Sequence, residues 1–308
     1  MKDGFLLINK PAGFTSFDVI AKLRGMLKTK KIGHGGTLDP NVTGVLPVFV
    51  GRATKAIDMM DRQEKKYTAT FKLGLETDTQ DIWGKEIASS EPERDIDKIR
   101  DTVLGFKGEQ IQLPPMYSAI KINGVRLYDL AREGINVPRE ARKINILDID
   151  FLGKTENEDE YKFSVYCSKG TYVRTLCADM GAILGCGGTM TSLVRTQALG
   201  FNLSECITLE EVQKAADEGR ADELIRPIDE LFLDLPPIYL NEDQTKRFKN
   251  GVPLDPRRVS GVIYDTAFVI ADYQKYSVYG ADKSFLGIGK VEYPERKFKC
   301  QKLFNIED

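Results

Sequence analysis

Apolar positions along this chain change their spacing several times, and each change predicts an element. Phe5-Leu6-Leu7-Ile8 is a short unbroken apolar run ending at Asn9-Lys10-Pro11-Ala12-Gly13, which reads as a strand entering a turn. Thr15 and Asp18 have capping-box spacing, and Val19, Ile20, Leu23, Met26 and Leu27 recur at helical intervals, so a helix is expected over residues 16 to 28. The run Val45-Leu46-Pro47-Val48-Phe49-Val50 predicts a buried strand, and 52 to 61 reads as helical. From Lys66 to Gly74 polar and apolar residues alternate, the period of a half-buried strand, with Tyr67 sharing the inward face with Ala69, Phe71 and Leu73. A short helix suits 95 to 105, Asn123-Gly124 is a hairpin signal, and 161 to 167 alternates again. Thr171 is then a candidate N-cap for a helix with the stripe Val173, Leu176, Cys177, Met180 and Leu184, and Thr208 and Glu211 cap another that runs to about Gly219. After Pro236-Pro237, Gly and aromatic residues are interspersed with short β-type runs such as 261 to 264 and 267 to 271. A linker near 235 therefore divides a large unit, 1–235, from a small β-rich one, 236–308.

Composition narrows the class. With 308 residues, 42% of them hydrophobic and 29% charged, the chain can bury a substantial core. No apolar run approaches the roughly 18 residues of a membrane span, and MKDGFLLINKPAG is too short and polar for a signal peptide, so a cytoplasmic protein is expected. The five cysteines, 167, 177, 186, 206 and 300, are odd in number and without a CxxC pair, so buried thiols are expected rather than disulfides or a zinc site. A net charge of −2 argues against indiscriminate coating of nucleic acid. The charge is uneven, however. Lys22, Arg24, Lys28, Lys30 and Lys31 fall in an acid-free stretch that is either a solvated helix face or a phosphate contact, and residues 121 to 143 carry a further excess of basic groups.

That first basic stretch leads into Gly33-His34-Gly35-Gly36-Thr37-Leu38-Asp39-Pro40-Asn41-Val42-Thr43-Gly44, which holds the chain's single histidine and one carboxylate. By loop chemistry alone it is a glycine-rich turn in which Asp39 caps its own backbone. The longer string GHGGTLDPNVTGVLPVFVGRATK resembles the catalytic segment of the TruB family of tRNA pseudouridine synthases, where the aspartate lies in a G-[TA]-L-D-P-x-A-T-G pattern. Val42 stands where that family usually has alanine, and Gly35 where threonine is common; neither change touches the carboxylate. The resemblance implies an α+β pseudouridine synthase fold, a mixed and mainly antiparallel sheet flanked by helices, with a small PUA-like β-rich tail. It also implies isomerisation of uridine 55 in the tRNA T loop, with Asp39 as the catalytic residue.

Further segments extend the resemblance and carry its implied roles. Asn9-Lys10-Pro11 matches a motif that lines the active cleft, although Pro11 by its own chemistry is a rigid turn. Lys65 and Tyr67 match K-x-Y, making Tyr67 the ring that packs on the target base and assists proton removal. Thr77 to Asp81 is similar to T-D-T-x-D, whose second aspartate organises loops. An insertion at about 114–143, including Lys121 and Arg132, would close over the T loop as a thumb; the plain reading is an ordinary surface hairpin and helix. Gly170 to Leu176 matches a motif in which Arg174 pairs with the aspartate and Tyr172 lines the pocket. Arg174 lies in a first helical turn, where the dipole does not favour a cation, so another group should hold it. Leu193, in a segment similar to L-x-R-[TL], would form the apolar wall.

Pseudouridine formation breaks the C1′–N bond, turns the uracil and joins C1′ to C5, so one carboxylate can act by attack at C1′, addition at C6 or removal of the 2′ proton. No cofactor or metal is expected, since the uracil supplies its own nucleophilic carbon. The target must leave the stacked T loop; His34 either fills the resulting gap or braces its own loop. The expected partner is the tRNA T stem-loop, and the expected state a monomer. Two alternatives remain, a non-catalytic tRNA-binding or folding factor on the same fold and a guide-RNA-dependent relative. A two-carboxylate glycosidase lacks a second acid with motif support.

Overall fold

Strands buried on both faces need apolar residues at every position, and the first and third strands supply them. The computed structural model describes residues 2–60, 63–118, 120–122, 124–260, 275–292 and 297–305. It begins with β1 (Gly4–Lys10), α1 (Ser16–Met26), β2 (Ile32–His34) and β3 (Thr43–Val50). β1 and β3 pair antiparallel from Gly4 against Val50 to Lys10 against Gly44. Leu6, Ile8, Leu46, Val48 and Val50 enter one core, while Phe5, Leu7 and Phe49 enter a second on the other side.

The chain continues through β4 (Lys65–Leu73), the hairpin β5 (Leu75–Thr77) and β6 (Glu86–Ser89), α2 (Ile96–Leu104) and β7 (Gly108–Gln112). A second small hairpin, β8 (Lys121–Ile122) and β9 (Val125–Arg126), precedes α3 (Leu127–Arg132). Then come β10 (Arg142–Lys154), β11 (Glu160–Cys167), α4 (Val173–Leu184), β12 (Gly188–Ala198), β13 (Phe201–Asn202) and α5 (Leu209–Asp217). The main sheet runs β1-β3-β12-β4-β11-β10-β7, with β2 added on β3 and β13 on β12. Its β12–β3 pairing is parallel and its other pairings antiparallel, as expected for a mixed, mainly antiparallel sheet. Side chains of α1, α2, α4 and α5, among them Leu23, Val103, Met180 and Val212, fill the first core against this sheet.

Beyond residue 235, β14 (Pro237–Tyr239), α6 (Glu242–Lys249), β15 (Lys275–Tyr279), β16 (Phe285–Glu292) and β17 (Lys297–Leu303) form a separate four-stranded sheet in sequence order. Ile238, Phe248, Tyr276, Val278 and Phe298 give it its own core. It rests on the large unit where Ile288 and Phe304 join Phe5, Ile228 and Phe232 in the second core, and Ser277 Oγ donates to the Phe232 carbonyl at 3.1 Å. The strands expected at 261 to 264 and 267 to 271 lie outside the described residues. No helix among the described residues is long and apolar enough to cross a membrane.

Three expectations need correction. The helix expected over 52 to 61 is a 3-10 helix, Gly51–Met59. Ala53, Ala56 and Met59 stand three apart, so a three-residue turn lines them up against the second core. Helix α4 is capped at Tyr172, not Thr171, whose hydroxyl donates instead to the Ser168 carbonyl at 3.0 Å. Of the cysteines, 206 and 300 are only half-buried.

Candidate active site

The loop between β2 and β3, residues 35 to 42, is held at both ends and from beneath. Leu38 and Val42 are buried in the first core, and the Ser16 hydroxyl both accepts from Leu38 N at 2.9 Å and donates to Leu38 O at 3.2 Å. From below, the fully buried Lys10 Nζ donates to the carbonyls of Pro40 and Pro11, each at 2.8 Å, and of Phe14 at 2.5 Å. Burial lowers its pKa to about 8, against the pull of Asp39. Arg195, also fully buried, donates to Val45 O at 2.7 Å, Gly36 O at 3.1 Å and Thr37 O at 3.4 Å. Gly44 is where β3 passes Arg195 in the parallel pairing. Its φ is +105°, and a Cβ there would stand 2.2 Å from the Arg195 carbonyl, so only glycine fits.

With the backbone fixed, Asp39 keeps 46% of its side-chain surface open, and its Oδ2 lies 3.1 Å from Arg174 Nη1. Arg174 is the part of the pair that is buried. A second carboxylate, Asp81 Oδ2, approaches the same nitrogen at 3.5 Å, and Arg174 Nη2 donates to the Tyr117 carbonyl. Asp81 is itself held, its Oδ1 accepting from Thr79 Oγ1 at 2.7 Å and Trp83 N at 3.2 Å. The α4 N-terminus that carries Arg174 has no side-chain cap of its own. Instead the buried Gln112 amide bonds both ways to Tyr172, accepting from N at 2.8 Å and donating to O at 3.0 Å.

Asp39 and Arg174 stand where two cavities meet, since both line each of them. The outer one, about 940 Å³, is a large cleft bordered by Phe17, His34, Trp83, Tyr117, Tyr128 and Arg132. The inner one, about 300 Å³, is bordered by Lys65, Tyr67, Tyr172, Met190 and Leu193. Tyr67 is 8% exposed, and burial pushes its hydroxyl above the ordinary phenol value while the positive charge of Arg195 acts the other way. It therefore presents a neutral ring to the chamber.

Most of the residues singled out in the sequence thus converge. Asp39, Arg174, Tyr67, Tyr172 and Leu193 share the inner chamber, and His34 and Arg132 the outer cleft. The Arg174 guanidinium lies 5.8 Å from the Tyr172 ring centre, and that of Arg132 lies 5.5 Å from the Tyr128 ring centre. His34 Nδ1 is buried without a hydrogen-bond partner among the described residues, and burial, then Arg195, push its pKa below 6.5 against the Gly36 backbone. Lys10 is a correction: it lies beneath the loop as a carbonyl clamp, not on the cleft wall. Lys121 pairs through its backbone with Arg126, but its side chain lies outside the described residues. Sequence reasoning missed Arg195, Gln112 and the aromatics Phe17, Trp83 and Tyr128. For Arg195 a signal existed, because it stands two residues after Leu193 on the same strand and so shares its face.

Comparison with known proteins agrees with this geometry. The profile of the TruB family pseudouridylate synthase N-terminal domain matches residues 24–173, and that of the tRNA pseudouridylate synthase B C-terminal domain matches 174–233. The tRNA pseudouridine synthase B of Clostridium kluyveri is 43% identical over 304 residues, 98% of this chain and 99% of that one. The Bacillus subtilis protein of the same name is 43% identical over 260 residues, 83% and 84% of the two chains. The crystal structure of a Cbf5-Nop10-Gar1 complex contains a chain with TM-score 0.71 and 25% identity, covering 98% of this chain and 85% of that chain. Such identity, running nearly end to end through the loop of Asp39 and the helix of Arg174, shows that the chain belongs to the TruB family of tRNA pseudouridine synthases.

Proposed function

We propose that this chain converts uridine 55 of the tRNA T loop to pseudouridine, as a cytoplasmic monomer that acts without a guide RNA. The observation that carries the reading is the Asp39–Arg174 pair at the junction of a large cleft and a smaller chamber. An extruded nucleotide entering through the cleft would bring its sugar to Asp39 and its base into the chamber against Tyr67 and Leu193. The C1′–N1 bond breaks, the base turns within the chamber, and C1′ joins C5. The C5 proton leaves and N1 gains one, so the product is an isomer of the substrate. Arg174 occupies Oδ2, which fixes the carboxylate while leaving the rest of it facing the sugar. The bound nucleotide itself fills the chamber and so displaces water from around the detached base. Tyr67 serves as a packing ring, since its buried hydroxyl stays protonated near neutral pH and is a poor base.

The segment 114–143 acts in this reading as the thumb, bringing Tyr128 and Arg132 over the cleft. Residues 236–308 form the PUA-like tail. The exposed Lys22 on α1, and Lys28, Lys30 and Lys31 just after it, suit the T-stem phosphates, since the first turn of this helix borders the cleft.

The test is incubation of the purified chain alone with unmodified tRNA transcript, followed by carbodiimide mapping. Wild type should yield pseudouridine at position 55 only, and Asp39→Asn should yield none while binding the tRNA within a few fold. Product that appears only on adding a guide RNA would favour the guide-dependent alternative. Turnover by Asp39→Asn would remove the carboxylate from the reaction.

A further inference from the structure

Two large aromatic side chains stand exposed on the cleft that Asp39 borders. Phe17 is 64% and Trp83 50% exposed, and both line the outer cavity. Side chains of this size ordinarily turn inward, so their exposure inside a concave site calls for a ligand with a flat apolar face. Neither is on a loose segment. Phe17 follows Ser16, whose hydroxyl grips both backbone groups of Leu38, next to Asp39, and Thr15 and Asp18 close a reciprocal cap around the same turn. Trp83 lies two residues after Asp81, and its backbone N–H donates to the carboxylate that also approaches Arg174. The neighbouring Ile82 N–H is bonded to the Met190 carbonyl at 2.8 Å. Each ring is therefore indexed to one member of the Asp39–Arg174 pair. The Arg24 guanidinium, 5.7 Å from the Phe17 ring centre, adds positive charge beside it.

We propose that Phe17 and Trp83 are stacking platforms for the unpaired nucleobases flanking the target uridine, and that they set the register in which the target sugar meets Asp39. The inference rests on the tRNA reading of the cleft and deepens it. Extruding one nucleotide unstacks its neighbours, and an aromatic face takes up each displaced base without regard to its identity. Binding energy from these bases then positions the sugar without touching the reacting atoms, so both residues are positioning residues.

Trp83 is the single tryptophan of the chain, so the proposal has an internal reporter. Unmodified tRNA titrated into the full chain should quench Trp83 emission saturably, after correction against free N-acetyltryptophanamide. A synthetic T-arm stem-loop with abasic residues on both sides of the target should bind with that quenching lost. Trp83→Ala and Phe17→Ala should each weaken binding by about tenfold, with Trp83→Phe restoring it, and the single-turnover rate at saturating enzyme should change less than binding does. Saturable binding with unchanged emission, or quenching that survives the abasic substitutions, would overturn the assignment of Trp83. Binding by Phe17→Ala within twofold of wild type would overturn that of Phe17. Pseudouridine is measured in the same wild-type samples: its absence refutes the functional reading, whereas product without quenching refutes stacking at Trp83 alone.

Discussion

Replacing Arg195 tests whether a residue remote from the reacting atoms shapes the catalytic loop. Its guanidinium is wholly buried, meets no carboxylate in any hydrogen bond of the described residues, and is solvated by three carbonyls at 2.7, 3.1 and 3.4 Å. Arg195→Met keeps most of the volume but leaves those acceptors without a donor. Two short bonds lost at about 1 to 3 kcal/mol of unsatisfied acceptor each, with less for the long one, give a cost of about 3 to 6 kcal/mol. Removing a desolvated charge returns part of this, so the net loss of stability should be about 2 to 4 kcal/mol. Activity should fall further than stability implies. Gly36 and Thr37 stand three and two residues before Asp39, and a displacement of about 1 Å at the carboxylate costs on the order of a hundredfold in rate. Arg195→Lys keeps the charge without the fork and should fall between. Urea denaturation gives the stability and single-turnover conversion of tRNA gives the rate. If Arg195→Met loses less than about 1 kcal/mol and reacts within twofold of wild type, the loop is not held by this side chain.

Gly44→Ala should destabilise by about 3 kcal/mol or more, because its Cβ would meet the Arg195 carbonyl at 2.2 Å, whereas Gly219→Ala, also at positive φ but in open space, should cost about 1 kcal/mol; equal effects in thermal melts would show that the close approach is unimportant. Asp81→Asn should lower the single-turnover rate by about tenfold or more and leave tRNA binding within a few fold, since Arg174 then has one carboxylate instead of two; an unchanged rate would make Asp81 a loop support only. Burial brings the Lys10 pKa down from 10.5 to about 8, so as pH rises through 8 the folded protein gives up this proton before the unfolded chain does. Between about 8 and 10.5 this group therefore makes folding more favourable with rising pH, while three carbonyls lose one of their three N–H donors. Single-turnover rate should decline just above pH 8 with no parallel fall in melting temperature; a simultaneous fall in both would signify unfolding rather than loss of the clamp.

The elements built on strong periodicity were legible. α1, the alternating strand β4 and the stripe of α4 fall where their spacing predicts. For Tyr67 a core position and a place on the chamber wall do not conflict, because its face is buried along most of β4 and opens onto the chamber at one end. What escaped depended on partners far away in sequence. Thr171 has the right chemistry for an N-cap, but Gln112, sixty residues earlier, already satisfies the backbone at Tyr172. The cleft-lining role implied for Lys10 fails because its ammonium finds three carbonyls from two loops under the floor of the site. Arg195 reads as a polar position in a strand until the carbonyls of residues 36, 37 and 45 are brought to it by the parallel pairing of β12 with β3.

These cations divide the work at the loop. Arg174 meets two carboxylates besides the Tyr117 carbonyl, whereas Lys10 and Arg195 donate to carbonyls alone and so brace the backbone without neutralising their own charge. Lys65, on the wall of the inner chamber, also donates to a carbonyl, that of Gln63 at 2.8 Å, and burial and Arg195 lower its pKa. A chain of net charge −2 thereby keeps uncompensated positive charge around one small chamber. That is the arrangement required by a reaction in which the detaching base takes up the electron pair of the glycosidic bond. Fixed cations already in place stabilise the charge as it develops, and no reorganisation is needed when the bond breaks. The packing that makes Lys10 and Arg195 expensive to bury is therefore the same packing that aims Asp39, and weakening either clamp should disturb both the position of the carboxylate and the field in the chamber.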